Sequence, residues 1–210
     1  PPLEILRQFM TYAFWYDLKK QTPKYIKDTQ SLASMGHPGG GRQPISPRTL
    51  HCFHVLNMTF PNDASIKRIF GAMINSHLAT FDEEIKPLGD LMTAATLEIY
   101  LRLAADLLPT PDKPHYLFNL RDISRVFQGV LQSDKDHCDS RDGMLRLWVH
   151  EMNRAFSDRF TNTPDKDFFD TLLDEKLTAS FQSGLKAIYK TEPMPFGDFM
   201  VEAPEGKRAP

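Results

Sequence analysis

A glycine-rich stretch is the first place where this sequence suggests chemistry. Residues 36–43 read G-H-P-G-G-G-R-Q, with two glycines at the spacing of a phosphate-binding loop. A loop of the form G-x-x-x-x-G-K-[ST] uses its lysine for the β- and γ-phosphates and its hydroxyl for Mg²⁺. Arg42 and Gln43 occupy those two positions here, and prolines delay the helix that should follow. The sequence therefore favours a shaped turn that brings the next residues, up to Arg48, to a surface.

Two arginines at predicted helix starts are candidates for binding an anion. Arg48 lies just inside a short helix that a Ser-Pro pair opens. Arg121 lies in the first turn of a helix that Asn119 opens, with Asp122 three residues on completing a capping box. Backbone N–H groups at a helix N-terminus favour an anion, so an arginine there gains from a phosphate partner. A carboxylate in the neighbourhood of Asp122, or a glutamate at the edge of the core, is an equally supported partner for Arg121.

Histidines and cysteines do not form a pattern typical of a metal site. Cys52 lies near two histidines on a helix-to-strand path where their side chains diverge, and Cys138 lacks a second pair at ligand spacing. The acidic stretch at 134–142 lacks the glycine and the terminal glutamate of a calcium loop. No Gly-x-Ser-x-Gly element marks a nucleophilic serine. The sequence predicts no metal site and no autonomous hydrolase chemistry.

The secondary structure predicted to position these residues differs between the first sixty residues and the rest of the chain. In the first sixty residues, apolar spacing predicts a helix over 3–18, a strand within 24–35 that leads into the glycines, and a strand over 53–60. Two strands do not make a stable sheet by themselves. We therefore expect the rest of the sheet outside this sequence, as the absence of a starting methionine also suggests.

Downstream the apolar period becomes helical and stays so. Five helices are predicted. Asn62 or Asp63 caps the first, the capping box at Asn119 opens the third with apolar positions from Ile123, and the others have apolar positions from about Leu88, Leu145 and Phe168. The proline- and glycine-rich tail 189–210 predicts a strap without regular structure. The predicted fold class is mostly α with a small α/β part.

Composition indicates an ordinary folded protein. Of 210 residues, 41% are hydrophobic and 25% are charged, and the net charge of -2 provides no field to attract nucleic acid or anionic lipid. No apolar run approaches the roughly 20 residues of a membrane span. The two cysteines suit a reducing compartment. We expect a cytoplasmic protein that binds neither nucleic acid nor membrane.

Five ordered blocks carry a resemblance over nearly the whole chain. They are PPLEILRQFMTYAFWYD (1–17), MGHPGGGRQPISPR (35–48), NMTFPNDASIKRIFGAMI (57–74), LLPTPDKPHYLFNLRDISRVFQG (107–129) and LRLWVHEMNRAFSDR (145–159). Together they resemble axonemal dynein heavy chains, and more narrowly the third AAA+ module of the motor ring. The resemblance implies an incomplete P-loop NTPase (AAA+) large subdomain over 1–61, an all-helical lid over 62–188 and a strap over 189–210.

The resemblance also implies roles for single residues. Arg48 matches an arginine that acts in trans on the nucleotide of the preceding module. The family often places a second arginine and a histidine shortly after it, where this chain has His51 and Cys52. Arg121 matches the lid sensor arginine, which reaches the phosphates of the module's own nucleotide. Gly36 stands at the sensor-loop position, where the family usually has an asparagine.

For the complete heavy chain, the resemblance implies a minus-end-directed microtubule motor that hydrolyses ATP and drives ciliary and flagellar beating. The implied cofactors are ATP or ADP with Mg²⁺ in the complete module. The implied partners are neighbouring AAA+ modules, microtubules through other parts of the chain, and dynein intermediate and light chains in the axonemal cytoskeleton. This segment alone is expected to be inactive, because the family's phosphate loop and magnesium-site acids lie before the first block.

Two other functions compete with a nucleotide-responsive module. A structural spacer in the motor ring needs only helices that pack against neighbouring modules, and its site never turns over nucleotide. A small stand-alone helical adaptor needs a segment that is stable by itself, which the missing strands argue against.

Overall fold

The computed structural model describes residues 2–36, 43–135, 138 and 140–189. The chain divides between Phe60 and Pro61 into two compact units. Helices dominate, and the described residues form one two-stranded sheet. This is the predicted class, mostly α with a small α/β part. The strap predicted for 189–210 lies outside the described residues, except for Tyr189.

The first unit holds two helices and a hairpin. In chain order these are α1 (Pro2–Tyr12), β1 (Phe14–Tyr16), β2 (Pro23–Tyr25) and α2 (Pro47–Leu50). The helix predicted over 3–18 is therefore too long, because Ala13 takes a left-handed φ of 57° and the chain turns into β1. The ring of Phe9 stacks on Trp15 with centroids 4.9 Å apart. This contact folds the hairpin back against α1.

The two predicted strands of this unit are largely wrong. The strand within 24–35 is limited to β2, which pairs antiparallel with β1, and residues 53–60 form no strand. Side chains of that second segment are exposed, with Leu56 at 86% and Met58 at 89%. A strand needs a neighbour for its backbone hydrogen bonds, and the described residues supply none for 53–60.

The second unit is built from helices. They are α3 (Asp63–Leu78), α4 (Leu88–Asp106), α5 (Leu120–Val130), α6 (Arg141–Ala155), α7 (Thr163–Phe181) and α8 (Leu185–Ile188), with a 3-10 turn at Ser157–Arg159. The first five confirm the five helices predicted from apolar spacing. Two of them begin earlier than the apolar positions indicate, because polar caps set their starts. The side-chain oxygens of Asn62, Ser140 and Asn162 each accept a hydrogen bond from the backbone N–H three residues on.

Trp148 of α6 lies at the centre of the core of this unit. Its side chain is fully buried, and its indole Nε1 donates to the Thr96 hydroxyl of α4 at 2.9 Å. A stacked pair, Phe70 and Phe127, joins α3 to α5 with ring centroids 5.1 Å apart. Helices α3 and α4, α5 and α6, and α4 and α7 pack in pairs. The described helices of this unit therefore share one continuous core.

A close approach between α5 and α6 depends on a glycine. A Cβ on Gly129 would overlap the carboxyl group of Glu151, whose own Oε2 accepts a hydrogen bond from Arg154 at 2.6 Å. Glu151 is buried at 7% exposure. The absence of a side chain at Gly129 of α5 thus leaves the space in which the buried Glu151 carboxylate of α6 lies.

A buried carboxylate joins the loop before α5 to the start of α7. Asp165 is 9% exposed and accepts hydrogen bonds from Lys113 Nζ and from the Tyr116 hydroxyl, both at 2.6 Å. Burial by itself raises the pKa of Asp165, but the two hydrogen bonds and the lysine charge outweigh it and hold that pKa below its usual value. The hydrogen bond to Asp165 raises the pKa of Lys113.

We expect Asp165→Asn to destabilise the helical unit at pH 7 by about 1.5–3 kcal/mol, the range for a hydrogen bond to a charged group. The charge stabilises the fold only where the carboxyl is ionised in the folded state. Since the folded pKa is lower than the unfolded value of about 4, this contribution is complete above that value and is lost as pH falls through the folded pKa. Thermal unfolding followed by circular dichroism between pH 3 and 7 measures it.

The matched control is Glu98→Gln, which removes a surface carboxylate that pairs with Lys176 at 2.7 Å. Exposed pairs contribute about 0–1 kcal/mol, so this variant should unfold close to the original temperature. The gap in Tm between Asp165→Asn and the unchanged chain should narrow below about pH 4. A gap of constant size down to pH 3 would mean that the charge of Asp165 contributes nothing.

Candidate functional site

Arg48 lies in the first turn of α2, in the first unit. Ser46 precedes the helix in extended backbone, as predicted, but its hydroxyl makes no cap hydrogen bond to the backbone. It lies 3.1 Å from the hydroxyl of Thr49, the only buried residue among those that the structure describes in this unit. The Arg48 side chain is on the exposed side of this turn.

The acidic residue whose pKa the charge of Arg48 lowers is already hydrogen-bonded to another arginine. Glu4 of α1 accepts a hydrogen bond from Arg7 at 2.7 Å. This hydrogen bond lowers the pKa of the Glu4 carboxyl, and the more distant charge of Arg48 acts in the same direction. Arg48 forms no salt bridge with any residue that the structure describes. Its guanidinium is therefore available to an anion.

Arg121 lies in the first turn of α5, in the second unit, and its side chain is exposed. The capping box predicted from the sequence is present. The Asn119 side chain accepts a hydrogen bond from the Arg121 backbone N–H at 2.9 Å, and Asp122 Oδ2 accepts one from the Asn119 backbone N–H at 3.0 Å. The cap fixes the backbone from which Arg121 projects.

Asp122, the carboxylate next to Arg121 in the chain, binds other arginines. Asp122 is 3% exposed, and its Oδ1 lies 3.0 Å from Arg159 Nη1 and 3.7 Å from Arg125 Nη1. Across 2–36, 43–135, 138 and 140–189, no carboxylate forms a salt bridge with Arg121. Arg121 therefore presents a guanidinium without a described carboxylate partner at the positive end of the α5 helix dipole, an arrangement that can bind phosphate.

Arg159 was missed by the sequence analysis. It ends the 3-10 turn after α6, and its Nη2 donates to the backbone carbonyls of His115 at 2.8 Å and Leu117 at 3.1 Å. Its guanidinium also lies over the Phe118 ring, 5.3 Å from the centroid. These partners lie more than 35 positions away, so no local spacing pattern could have revealed them.

Other residues considered from the sequence stand apart from these two sites. Gly36 is exposed in irregular structure, and most of the glycine-rich stretch that it opens, residues 37–42, lies outside the described residues. Cys52 is exposed and Cys138 is buried, and no disulfide joins them. In the described part of the chain, no three His, Cys, Asp or Glu side chains cluster as a metal site would require. None of its helices is long and apolar enough to cross a bilayer.

Comparison with known families gives two matches in chain order. A family described as the P-loop containing dynein motor region matches residues 1–61. A family described as the AAA+ lid domain matches residues 92–187. The first match covers the unit that carries Arg48, and the second covers helices of the unit that carries Arg121.

Relatives match along almost the whole chain. Human dynein axonemal heavy chain 2 is 48% identical over 203 residues, which are 96% of this chain and 5% of the relative. The dynein-1-beta heavy chain of the flagellar inner arm I1 complex from Chlamydomonas reinhardtii is 45% identical over 204 residues, 95% of this chain and 4% of its own length. Human dynein axonemal heavy chain 6 is 38% identical over 201 residues.

The chain spans about one twentieth of the length of these relatives. Within that span, two dynein and AAA+ families match in order, and the alignments run from one end of the chain nearly to the other. The chain belongs to the dynein heavy-chain family and spans part of its AAA+ motor region.

Proposed function

We propose that this chain forms part of the third AAA+ module of an axonemal dynein heavy chain. Residues 1–61 would be the C-terminal part of the large subdomain, 62–188 the lid, and 189–210 the strap toward the next module. The order of the two family matches supports the first two assignments. The names of the relatives support the axonemal assignment.

Burial supports the difference between the two subdomains. The described residues of the second unit bury a continuous core, as a lid that moves as one body requires. The first unit leaves many apolar side chains exposed, as a partial sheet subdomain would before its other strands cover them. Examples of these exposed side chains are Leu18, Leu32, Leu56 and Met58.

One observation supports the proposed nucleotide response: among the described residues, Arg121 has no carboxylate partner although it lies beside the buried Asp122. ATP or ADP with Mg²⁺ would supply the phosphate charge in the complete module. Arg121 would hold phosphate from the lid side, and the bound phosphate would favour one lid position because the contact exists only there. Arg48 would reach the nucleotide of the preceding module in trans.

In the whole heavy chain, this module would contribute nucleotide binding and allosteric gating to a minus-end-directed microtubule motor. ATP hydrolysis in the complete motor would drive ciliary and flagellar beating in the axoneme. Its partners would be neighbouring AAA+ modules, microtubules bound elsewhere on the chain, and dynein intermediate and light chains. A purely structural spacer is the less favoured alternative, because a spacer has no need of an arginine at a capped helix start that forms no ion pair within the described part of the chain.

We expect Arg121→Ala in the full-length heavy chain to weaken nucleotide binding at this module. The loss of a charge-assisted hydrogen bond to phosphate corresponds to about 1.5–3 kcal/mol. The lid should stay folded, since Asn119 and Asp122 retain the cap. Titration with a fluorescent nucleotide measures the affinity, and cryo-electron microscopy measures the lid position.

Arg102→Ala is the control for Arg121→Ala. Arg102 is an exposed arginine of α4 that pairs only with Asp106 among the described residues, at 2.6 Å on the same helix. Its removal should leave nucleotide affinity unchanged. If Arg121→Ala also leaves affinity and lid position unchanged, Arg121 is no sensor.

We expect Arg48→Ala to impair the nucleotide site of the preceding module and to leave this module's own affinity intact. Where that site hydrolyses ATP, a trans arginine contributes about 10³-fold or more to the rate. Where it only binds nucleotide, the change should appear in affinity or exchange. Lys24→Ala, which removes an exposed charge from β2, is the matched control. A loss confined to this module's own site would contradict the trans role.

We also expect the purified 210-residue chain to show no ATPase activity above background. Its sequence contains no G-x-x-x-x-G-K-[ST] loop to hold the β- and γ-phosphates with Mg²⁺. A coupled assay of phosphate release, with the full-length heavy chain as the positive control, tests this. Turnover by the isolated chain would overturn the assignment of its residues to the end of a large subdomain and a lid.

A further inference from the structure

Arg159 connects the loop before α5 to the first turn of that helix. We propose that Arg159 is a positioning residue for Arg121, an inference that rests on the nucleotide response proposed above. No hydrogen bond or ion pair joins Arg159 to Arg121 among the described contacts, and Arg159 is not expected to touch nucleotide. It acts on the backbone from which Arg121 projects.

The contacts of Arg159 converge on a short stretch of backbone. Its Nη2 donates to the His115 and Leu117 carbonyls, and its Nη1 lies 3.0 Å from Asp122 Oδ1. A planar guanidinium presents its donors in a fixed fork, so one side chain can hold several acceptors in a single geometry. Its side chain is only 25% exposed. Arg159 therefore fixes both the approach to α5 and its first turn.

Asp122 links the restraint imposed by Arg159 to the backbone of Arg121, the residue before it. One carboxylate oxygen accepts the hydrogen bond from the Asn119 backbone N–H, and the other faces Arg159. Arg121 lies between Asn119 and Asp122 in the chain, and its own backbone N–H donates to the Asn119 side chain. The three residues form one hydrogen-bonded turn, and Arg159 holds that turn against the end of α6.

A second set of contacts holds the same loop from the other side. The His115 ring Nε2 lies 2.9 Å from the Arg159 carbonyl oxygen, which can only accept a hydrogen bond. Tyr116 donates to Asp165 and accepts from the Thr161 backbone N–H at 3.3 Å. Loop 115–118 is thus bound to the segment 159–165 at several points. Removal of Arg159 should loosen this loop near α5 without detaching it from α7.

A preorganised arginine binds phosphate more tightly than a mobile one, because less motion must be frozen when the ligand binds. If Arg159 acts only through Arg121, its loss should matter only while Arg121 is present. A general loss of lid structure would instead weaken binding in either background. A positioning role therefore predicts that the losses of affinity from replacing Arg159 and Arg121 do not add, whereas a general structural role predicts that they do.

The test is a double-mutant cycle in the full-length heavy chain. Arg159→Gln, Arg121→Ala and the double variant are titrated with fluorescent ADP and ATP at this module. We expect Arg159→Gln to weaken affinity by about 3- to 10-fold, as for residues coupled through a shared backbone segment. In the Arg121→Ala background, the same change should alter affinity by less than about 2-fold. Arg159→Lys should recover only part of the loss, because a lysine has no fork.

Arg125→Gln distinguishes the effect of the hydrogen bonds from Arg159 to the loop carbonyls from the effect of its ion pair with Asp122. Arg125 also faces this carboxylate, at 3.7 Å, but the described contacts give it no loop carbonyl. If backbone restraint is what matters, Arg125→Gln should change affinity by less than about 2-fold. A loss as large as that of Arg159→Gln would assign the effect to the charge on Asp122 and overturn the proposal.

Each remaining outcome also decides a question. Losses that add fully in the double variant would mean that Arg159 stabilises the lid without positioning Arg121. No loss from Arg159→Gln, with a clear loss from Arg121→Ala, would overturn the positioning role and leave the proposed function standing. No loss from Arg121→Ala would overturn both. If Arg159→Gln does not fold, Arg159→Lys replaces it in the cycle under the same criteria.

Discussion

The buried carboxylate of Asp122 is the interaction on which the candidate nucleotide-binding end of the lid depends. It caps α5 through the Asn119 backbone and binds Arg159 from the end of α6. A carboxylate with 3% exposure is stable only when charged partners and hydrogen bonds replace the water that it has lost. Arg159 at 3.0 Å, and Arg125 at 3.7 Å, are the charged partners of Asp122, and no described ion pair joins Asp122 to Arg121.

The two units show opposite solutions to the burial of apolar surface. In the second unit, Trp148 and its neighbours fill one core, and polar groups inside it, such as Thr96, have hydrogen-bond partners. In the first unit, α1 buries no residue, and the segment 53–60 presents apolar side chains outward. This contrast is what an all-helical lid and a partial sheet subdomain would each be expected to show.

Local rules were enough to predict the helices and the cap that presents Arg121. The capping box at Asn119 is a pattern of residues three positions apart, so the sequence carries it completely. The strands were predicted poorly, because a strand depends on a partner that short-range patterns do not specify. Arg159 could not be found at all, since its partners at 115–122 are distant in sequence and mostly backbone carbonyls.

Charge around the start of α5 gives the clearest physical reason to expect an anion there. Three arginines lie at this turn, namely Arg121, Arg125 and Arg159. Among the described contacts, Asp122 is the carboxylate that forms ion pairs with the last two. One carboxylate balances one arginine, so the turn retains an excess of positive charge next to helical N–H groups. Arg159 binds loop carbonyls and Asp122, and Arg125 faces Asp122. Arg121 is therefore the arginine of this turn whose exposed charge has no described carboxylate partner. An anion with several negative oxygens, such as the phosphates of a nucleotide, would bind the exposed guanidinium of Arg121 and gain from the positive end of the helix dipole.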